Sequence, residues 1–195
     1  MSSNRGSRVV ISGIGVVSPF GIGREKFWES VSQGKSGTKV ISAFETDGLP
    51  CRVAASVPPV TVEDLAPFPL STGVDLADVS RSRADPRRYS RTSLIAVIAA
   101  QEAWNDACLS ASESSAGVIV GSGAGGIDVA ERQYQEYFTD SWKRVRPYAI
   151  PVSIVGMVSS EISIALRLHG ISHVLSTGCT SSTDAIGYAA QMIRA

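Results

Sequence analysis

Seven residues, Ser176 to Ser182 (STGCTSS), hold the most chemistry in this chain, because they set one cysteine between an apolar run and the start of an amphipathic pattern. Upstream, Ile171 to Leu175 is apolar, β-branched and followed by small residues, which predicts a buried strand ending in a tight turn. Downstream, Asp184 to Arg194 puts Ile186, Ala189, Ala190 and Ile193 on one stripe at helical spacing. Thr180, Ser181 and Ser182 are candidate caps, and Asp184 favours the first turn. Cys179 therefore falls at or just before the start of a helix, where free backbone N–H groups and the helix dipole favour negative charge. Such donors stabilise a thiolate and also an oxyanion forming on a thioester carbonyl. Gly178 and Ser181 leave the sulfur uncrowded, so a large acyl group has room to approach. The competing reading is a buried structural cysteine, and spacing alone identifies no partner base.

The elements that must position this turn read as α/β. A strand is expected at Val9 to Ser12 and another at Gly117 to Gly121, with a long helix, apolar on most sides, near Leu94 to Cys108 between them. That alternation predicts helices layered on a sheet buried on both faces. Val57 to Tyr89 gathers Pro, Ser, Asp and Arg with little periodicity and reads as a surface excursion of loops and short helices, and Met1 to Ser7 as a disordered tail.

Composition narrows the class. A chain of 195 residues, 44% of them hydrophobic, is long enough to bury a substantial core. Its 18 basic and 18 acidic residues cancel, which gives no hint of a nucleic-acid partner. Cys51, Cys108 and Cys179 are odd in number and widely spaced, so they form neither a disulfide framework nor a zinc motif, and a reducing, cytoplasmic setting fits. The apolar stretch Val9 to Val17 is short and broken by Gly13 and Gly15, and no run is long enough to span a membrane. No metal or cofactor is expected.

Gly121, Gly123 and Gly126 satisfy G-x-G-x-x-G after a strand, as a dinucleotide-binding loop would. That reading needs a helix and then a second strand ending in an acidic residue about 20 positions on. Here Val129 to Trp142 is polar and aromatic, and no β-like run follows it.

Five stretches carry a family likeness: RVVISGIGVVSPFG (Arg8 to Gly21), FWESVSQGKSG (Phe27 to Gly37), ADPRRYSRTSLIAVIAAQEAWNDACL (Ala84 to Leu109), GVIVGSGAGGI (Gly117 to Ile127), and the unbroken run from Arg146 through STGCTSS to Ser182. In this order they resemble the N-terminal half of a β-ketoacyl-acyl carrier protein synthase, a condensing enzyme with a thiolase-like, layered αβαβα fold. STGCTSSTDAIGYA looks most like the ketosynthase subunit of type II polyketide systems, and many fatty-acid members carry Ala where Gly178 stands. The resemblance implies that Cys179 is the acyl-accepting nucleophile and that Gly123, Ala124 and Gly125 line the acyl pocket. Ala124 falls where fatty-acid members often carry a larger apolar residue, which implies a roomier pocket. Lys143 and Arg144 stand where the family meets its acidic acyl carrier protein, although a solvated charged turn explains them equally from sequence.

The family's two catalytic histidines belong to its C-terminal half. His169 and His173 lie upstream of Cys179 and take no catalytic role: His169 is expected to end a helix beside Gly170, and His173 to pack in the following strand or at an interface. Residues 8–195 are thus expected to form an N-terminal ketosynthase domain that stops within the helix begun by Cys179, with the second half supplied elsewhere or lost. The likeness further implies a homodimer or ketosynthase heterodimer joined through Ser172 to Thr177. Two other functions remain open: a non-catalytic chain-length-type partner subunit, and a thiolase acting on acyl-coenzyme A. The first usually carries another residue, often Gln, at the position of Cys179.

Overall fold

The computed structural model describes residues 8–65, 85–109, 116–139 and 142–195. The expected tail, Met1 to Ser7, and residues 66–84 of the expected surface excursion lie outside them. Two short antiparallel pairs come first: β1 (Val17–Ser18) with β2 (Gly21–Ile22), and β3 (Lys39–Val40) with β4 (Val53–Ala54), with α1 (Arg24–Ser32) between the pairs. The body follows as α2 (Arg91–Asp106), β5 (Val118–Gly121), α3 (Ile127–Thr139), α4 (Ala149–Ser153), α5 (Met157–Leu166), β6 (Ser172–Leu175) and α6 (Ser181–Arg194). β5 and β6 are parallel, in register from Val118 opposite Ser172 to Gly121 opposite Leu175. Both α5 and α6 pack on this pair, and α2 packs on α5.

The core sits between α2, α5 and β5. Leu94, Val97, Ile98 and Trp104 of α2 meet Val118 of β5 and Ile162, Ala165 and Leu166 of α5. Burying each of the larger aliphatic side chains contributes about 2 kcal/mol, so this cluster is what fixes α2 and α5 against the strand. Ser90 starts α2 at its N-cap: its buried Oγ accepts from the N–H of Ser93 at 3.1 Å, satisfying a donor that the helix leaves unpaired. α2 ends at Asp106, and Cys108 lies beyond it with φ +53, so the helix stops short of the expected limit.

Three expectations are corrected here. Val9 to Ser12 form no strand, and Val10 and Ile11 are exposed. The chain just after it, Gly13 to Val16, leans on α2, whose carboxylates take backbone donors there: Asp106 accepts from Ile14 N–H at 3.0 Å and Glu102 from Val16 N–H at 2.7 Å. Close approach is possible because Gly15 has no side chain; a Cβ there would lie 1.8 Å from the carbonyl oxygen of Ala99. A cleft of 330 Å³, lined by Gly13, Ala103, Trp104, Val118, Val120 and Leu166 among others, separates the segment from β5. Second, the sheet is not buried on both faces, since Ser172 and His173 of β6 are exposed. Third, His169 does not end a helix. α5 closes at Leu166, with Arg167 in the left-handed conformation, and His169 lies exposed beyond it.

One ion pair ties the core to the turn before α2. Glu161 of α5 is fully buried and faces the Arg88 guanidinium at 3.3 Å. Burial pushes its carboxyl above the ordinary carboxylate range, and Arg88 opposes that shift by charge and hydrogen bonding. Because the folded state holds this proton more tightly than the unfolded chain does, the contribution of Glu161 to stability is greatest below the unfolded carboxylate range. It is lost as pH rises through that range toward the raised native value. Arg88→Ala removes the opposing charge, so it is expected to cost about 2 kcal/mol near neutral pH, less than a wholly buried pair because Arg88 keeps some solvent. The loss should shrink toward about pH 4, and urea melts across that range measure it. A loss of equal size at every pH would contradict the assignment.

Candidate active site

Parallel pairing decides what meets what. With Gly121 opposite Leu175, the chain leaves β5 and β6 at the same end of the sheet, so the Gly-rich turn and the cysteine turn stand side by side. The N–H of Ser122 continues the ladder by donating to Leu175 O at 3.1 Å. Ser176 Oγ reaches Gly123 O at 3.5 Å, a long contact between the two turns. Ser122 Oγ closes its own turn by accepting from Gly125 N–H at 3.2 Å. Gly123 and Ala124 are exposed and Gly125 is buried against Val155; of these, it is Gly123 whose carbonyl meets the cysteine turn.

Cys179 lies in the 3₁₀ turn Gly178–Thr180 that leads directly into α6, as the sequence pattern predicts. Cys179 is exposed, as are Cys51 and Cys108. Gly178, with φ +68, makes the bend before it. Ser181 holds the turn from inside: its buried side chain accepts from Thr177 N–H at 2.9 Å and donates to Gly178 O at 2.7 Å. α6 can sit this close to β5 because Gly121 faces Ser181 backbone to backbone.

The expected apolar stripe of α6 is corrected. Ile186 and Ile193 are 64% and 68% exposed, whereas Ala189 and Ala190 of the stripe are half-buried, along with Tyr188 and Met192, and Ser181 and Ala185 are buried. His173, exposed in β6, stacks its ring on Tyr188 at 6.3 Å between centroids.

A helix, α3, follows the Gly-rich turn, a correction to the expectation drawn from the polar and aromatic character of Val129 to Trp142. The rest of the dinucleotide pattern is absent among the described residues: the next strand is β6, at Ser172, and it ends in Leu175 rather than an acid. Between α3 and α4 lies an apolar groove of 280 Å³ lined by Tyr134, Tyr137, Val145, Ala149 and Ile150 among others. Lys143 and Arg144 sit in the exposed 3₁₀ turn Trp142–Arg144. The chain turns back along α3 just after them, where Arg146 N–H donates to Gln133 Oε1 at 2.7 Å. Among the described residues no group of three His, Cys, Asp or Glu is placed to hold a metal ion, and no helix is long and apolar enough to cross a membrane.

The model of the β-ketoacyl synthase N-terminal domain matches residues 6–195. The chain belongs to that family. A 3-oxoacyl-acyl-carrier-protein synthase 2 of Coxiella burnetii is 34% identical over 189 residues, which cover 95% of this chain and 42% of that protein. The counterpart from Vibrio cholerae is 31% identical with the same coverage. Among solved structures, the ishigamide ketosynthase/chain length factor superposes with a TM-score of 0.79 at 25% identity, over 97% of this chain and 44% of that one. A type II polyketide ketosynthase, solved with its acyl carrier protein as AntDE:AntF, superposes at 0.64 with 18% identity, over 97% and 48%, and shows the fold alone. The fold is therefore that of a ketosynthase N-terminal domain, and the chain spans somewhat under half the length of the relatives it matches.

Proposed function

We propose that this domain is the acyl-accepting part of a β-ketoacyl-acyl carrier protein synthase. The observation that carries the reading is the exposed Cys179 at the junction of β6 and α6, flanked by the Gly-rich turn. The thiolate attacks the thioester carbonyl of an acyl group presented by acyl carrier protein. Backbone N–H groups at the start of α6 offer donors to the oxyanion, and the carrier thiol leaves as the acyl group passes to Cys179. Condensation follows when a malonyl unit loses carbon dioxide and its carbanion attacks that second thioester, lengthening the chain by two carbons and freeing the cysteine. The histidines for that step are assigned to the C-terminal half of the synthase, which completes the layered αβαβα fold.

Gly123, Ala124 and Gly125 are proposed to line the acyl pocket, where small side chains admit a bulky or long acyl chain. Dimerisation through Ser172 to Thr177 agrees with β6, whose outer edge has no strand partner among the described residues. The setting proposed is cytoplasmic. A non-catalytic partner subunit and a coenzyme A thiolase are less well supported, because the first usually lacks a cysteine here and the GCTSS context resembles the second less.

Lys143 and Arg144 are proposed to steer the acidic carrier. Reversing both charges is expected to lower carrier association about tenfold at low salt and to flatten its salt dependence, as surface electrostatics acts mainly on the on-rate. Stopped-flow or surface-binding kinetics over a salt series measures this. The whole reading is tested by acyl transfer from a loaded carrier protein to Cys179, read as a gain in intact mass.

A further inference from the structure

We propose that Asp184 is a positioning residue for Cys179, a role beyond its expected place as an acidic residue in a helix's first turn. Its Oδ2 accepts from Thr177 Oγ1, two residues before the cysteine, and from Thr180 Oγ1, one residue after it, at 3.0 Å in the second case. The two hydroxyls also lie within 3.1 Å of each other, and Thr180 Oγ1 is 3.1 Å from Thr177 O. One carboxylate therefore gathers both flanks of the nucleophile's turn. Ser181 closes the same turn from its buried side, so the backbone around Cys179 is held on two sides while the thiol itself stays out of the network. Thr180 spends its hydroxyl on Asp184 and Thr177 and caps no backbone N–H of α6, so its side chain serves the turn rather than the helix start. An ionised acceptor strengthens each of these bonds relative to a neutral one.

Asp184, Thr177 and Thr180 are all exposed, so substituting them leaves the packed core untouched. The consequence is local: losing Asp184 frees the flanks, and the sulfur is held less firmly at the start of α6. Displacements of this kind cost a reacting group one to two orders of magnitude in rate.

The inference rests on Cys179 being the nucleophile. Its test reads the thiol directly, so its failure is distinguishable from failure of acyl transfer. Iodoacetamide alkylation of the full chain, resolved by peptide mass, compares Cys179 with Cys51 and Cys108, both exposed and remote in sequence, as references in the same molecule. Asp184→Ala is expected to slow Cys179 about tenfold relative to Cys51. Asp184→Asn retains an acceptor oxygen and is expected to stay within about twofold of the parent, the rescue that distinguishes anchoring of the hydroxyls from loss of charge. Thr177→Val and Thr180→Val should each reproduce part of the loss and add little to Asp184→Ala, as members of one network do. Should Asp184→Ala fail to fold, the Asn and Val variants decide. An unchanged ratio in the Ala and Val variants, or an equal loss in Asn and Ala, overturns the proposal.

Discussion

Gly121→Ala is expected to destabilise the domain by about 3 kcal/mol, the upper part of the range for forcing atoms into a packed site. The reason is geometric. A Cβ at Gly121 would lie 2.3 Å from Ser181 O and 2.4 Å from Ser182 N, both backbone atoms at the start of α6. Relief requires moving the helix, and the cysteine turn moves with it. Acyl transfer to Cys179 should fall about 100-fold even where the variant remains folded, because a displacement near 1 Å is enough to spoil the attack geometry. Denaturant melts and single-turnover acylation measure the two effects separately. Gly123→Ala is the control: a Cβ there meets nothing within 4 Å, and the change should cost less than about 1 kcal/mol. Equal losses at the two positions would show that α6 does not depend on contact with β5.

Cys179→Ala is expected to abolish acyl transfer, a loss of at least about 10³-fold, because no second nucleophile in the turn has a thiol's reactivity. Thr177 and Thr180 are engaged with Asp184, and Ser181 with Gly178. Since Cys179 is exposed and takes no part in the hydrogen bonds of its turn, stability should change by less than about 0.5 kcal/mol. Loss of activity with an unchanged melt separates a chemical role from a structural one. Retained transfer in the variant would place the nucleophile elsewhere.

Much of the site is legible in the sequence because it is local. The run Ile171 to Leu175, the small residues after it and the amphipathic pattern beyond place Cys179 between a strand and a helix, and β6 and α6 form within a few residues of the expected limits. Long-range relations are less legible. Val9 to Ser12 have the composition of a strand, yet a strand needs a neighbour, and the residues that follow, Ile14 and Val16, give their backbone donors to the carboxylates of Asp106 and Glu102, more than 80 residues away. The inward face of α6 is missed for a related reason. Apolar size points to Ile186 and Ile193, but close approach to Gly121 demands small residues, and Ser181 and Ala185 satisfy it. Asp184 reads as a helix-start residue by position alone, because nothing in a linear pattern shows that two threonine hydroxyls converge on it. The buried Glu161 is likewise invisible without Arg88, 73 residues before it.

The central claim, that Cys179 accepts the acyl group, is most directly tested by intact-mass analysis with peptide mapping after mixing the chain with acyl-loaded carrier protein, alone and with the C-terminal half of a full-length relative. The account predicts one added acyl mass per chain, located on Cys179, absent in Cys179→Ala and increased by the added half. No mass gain from a folded complex of the two halves, or a gain on any other residue, would contradict it.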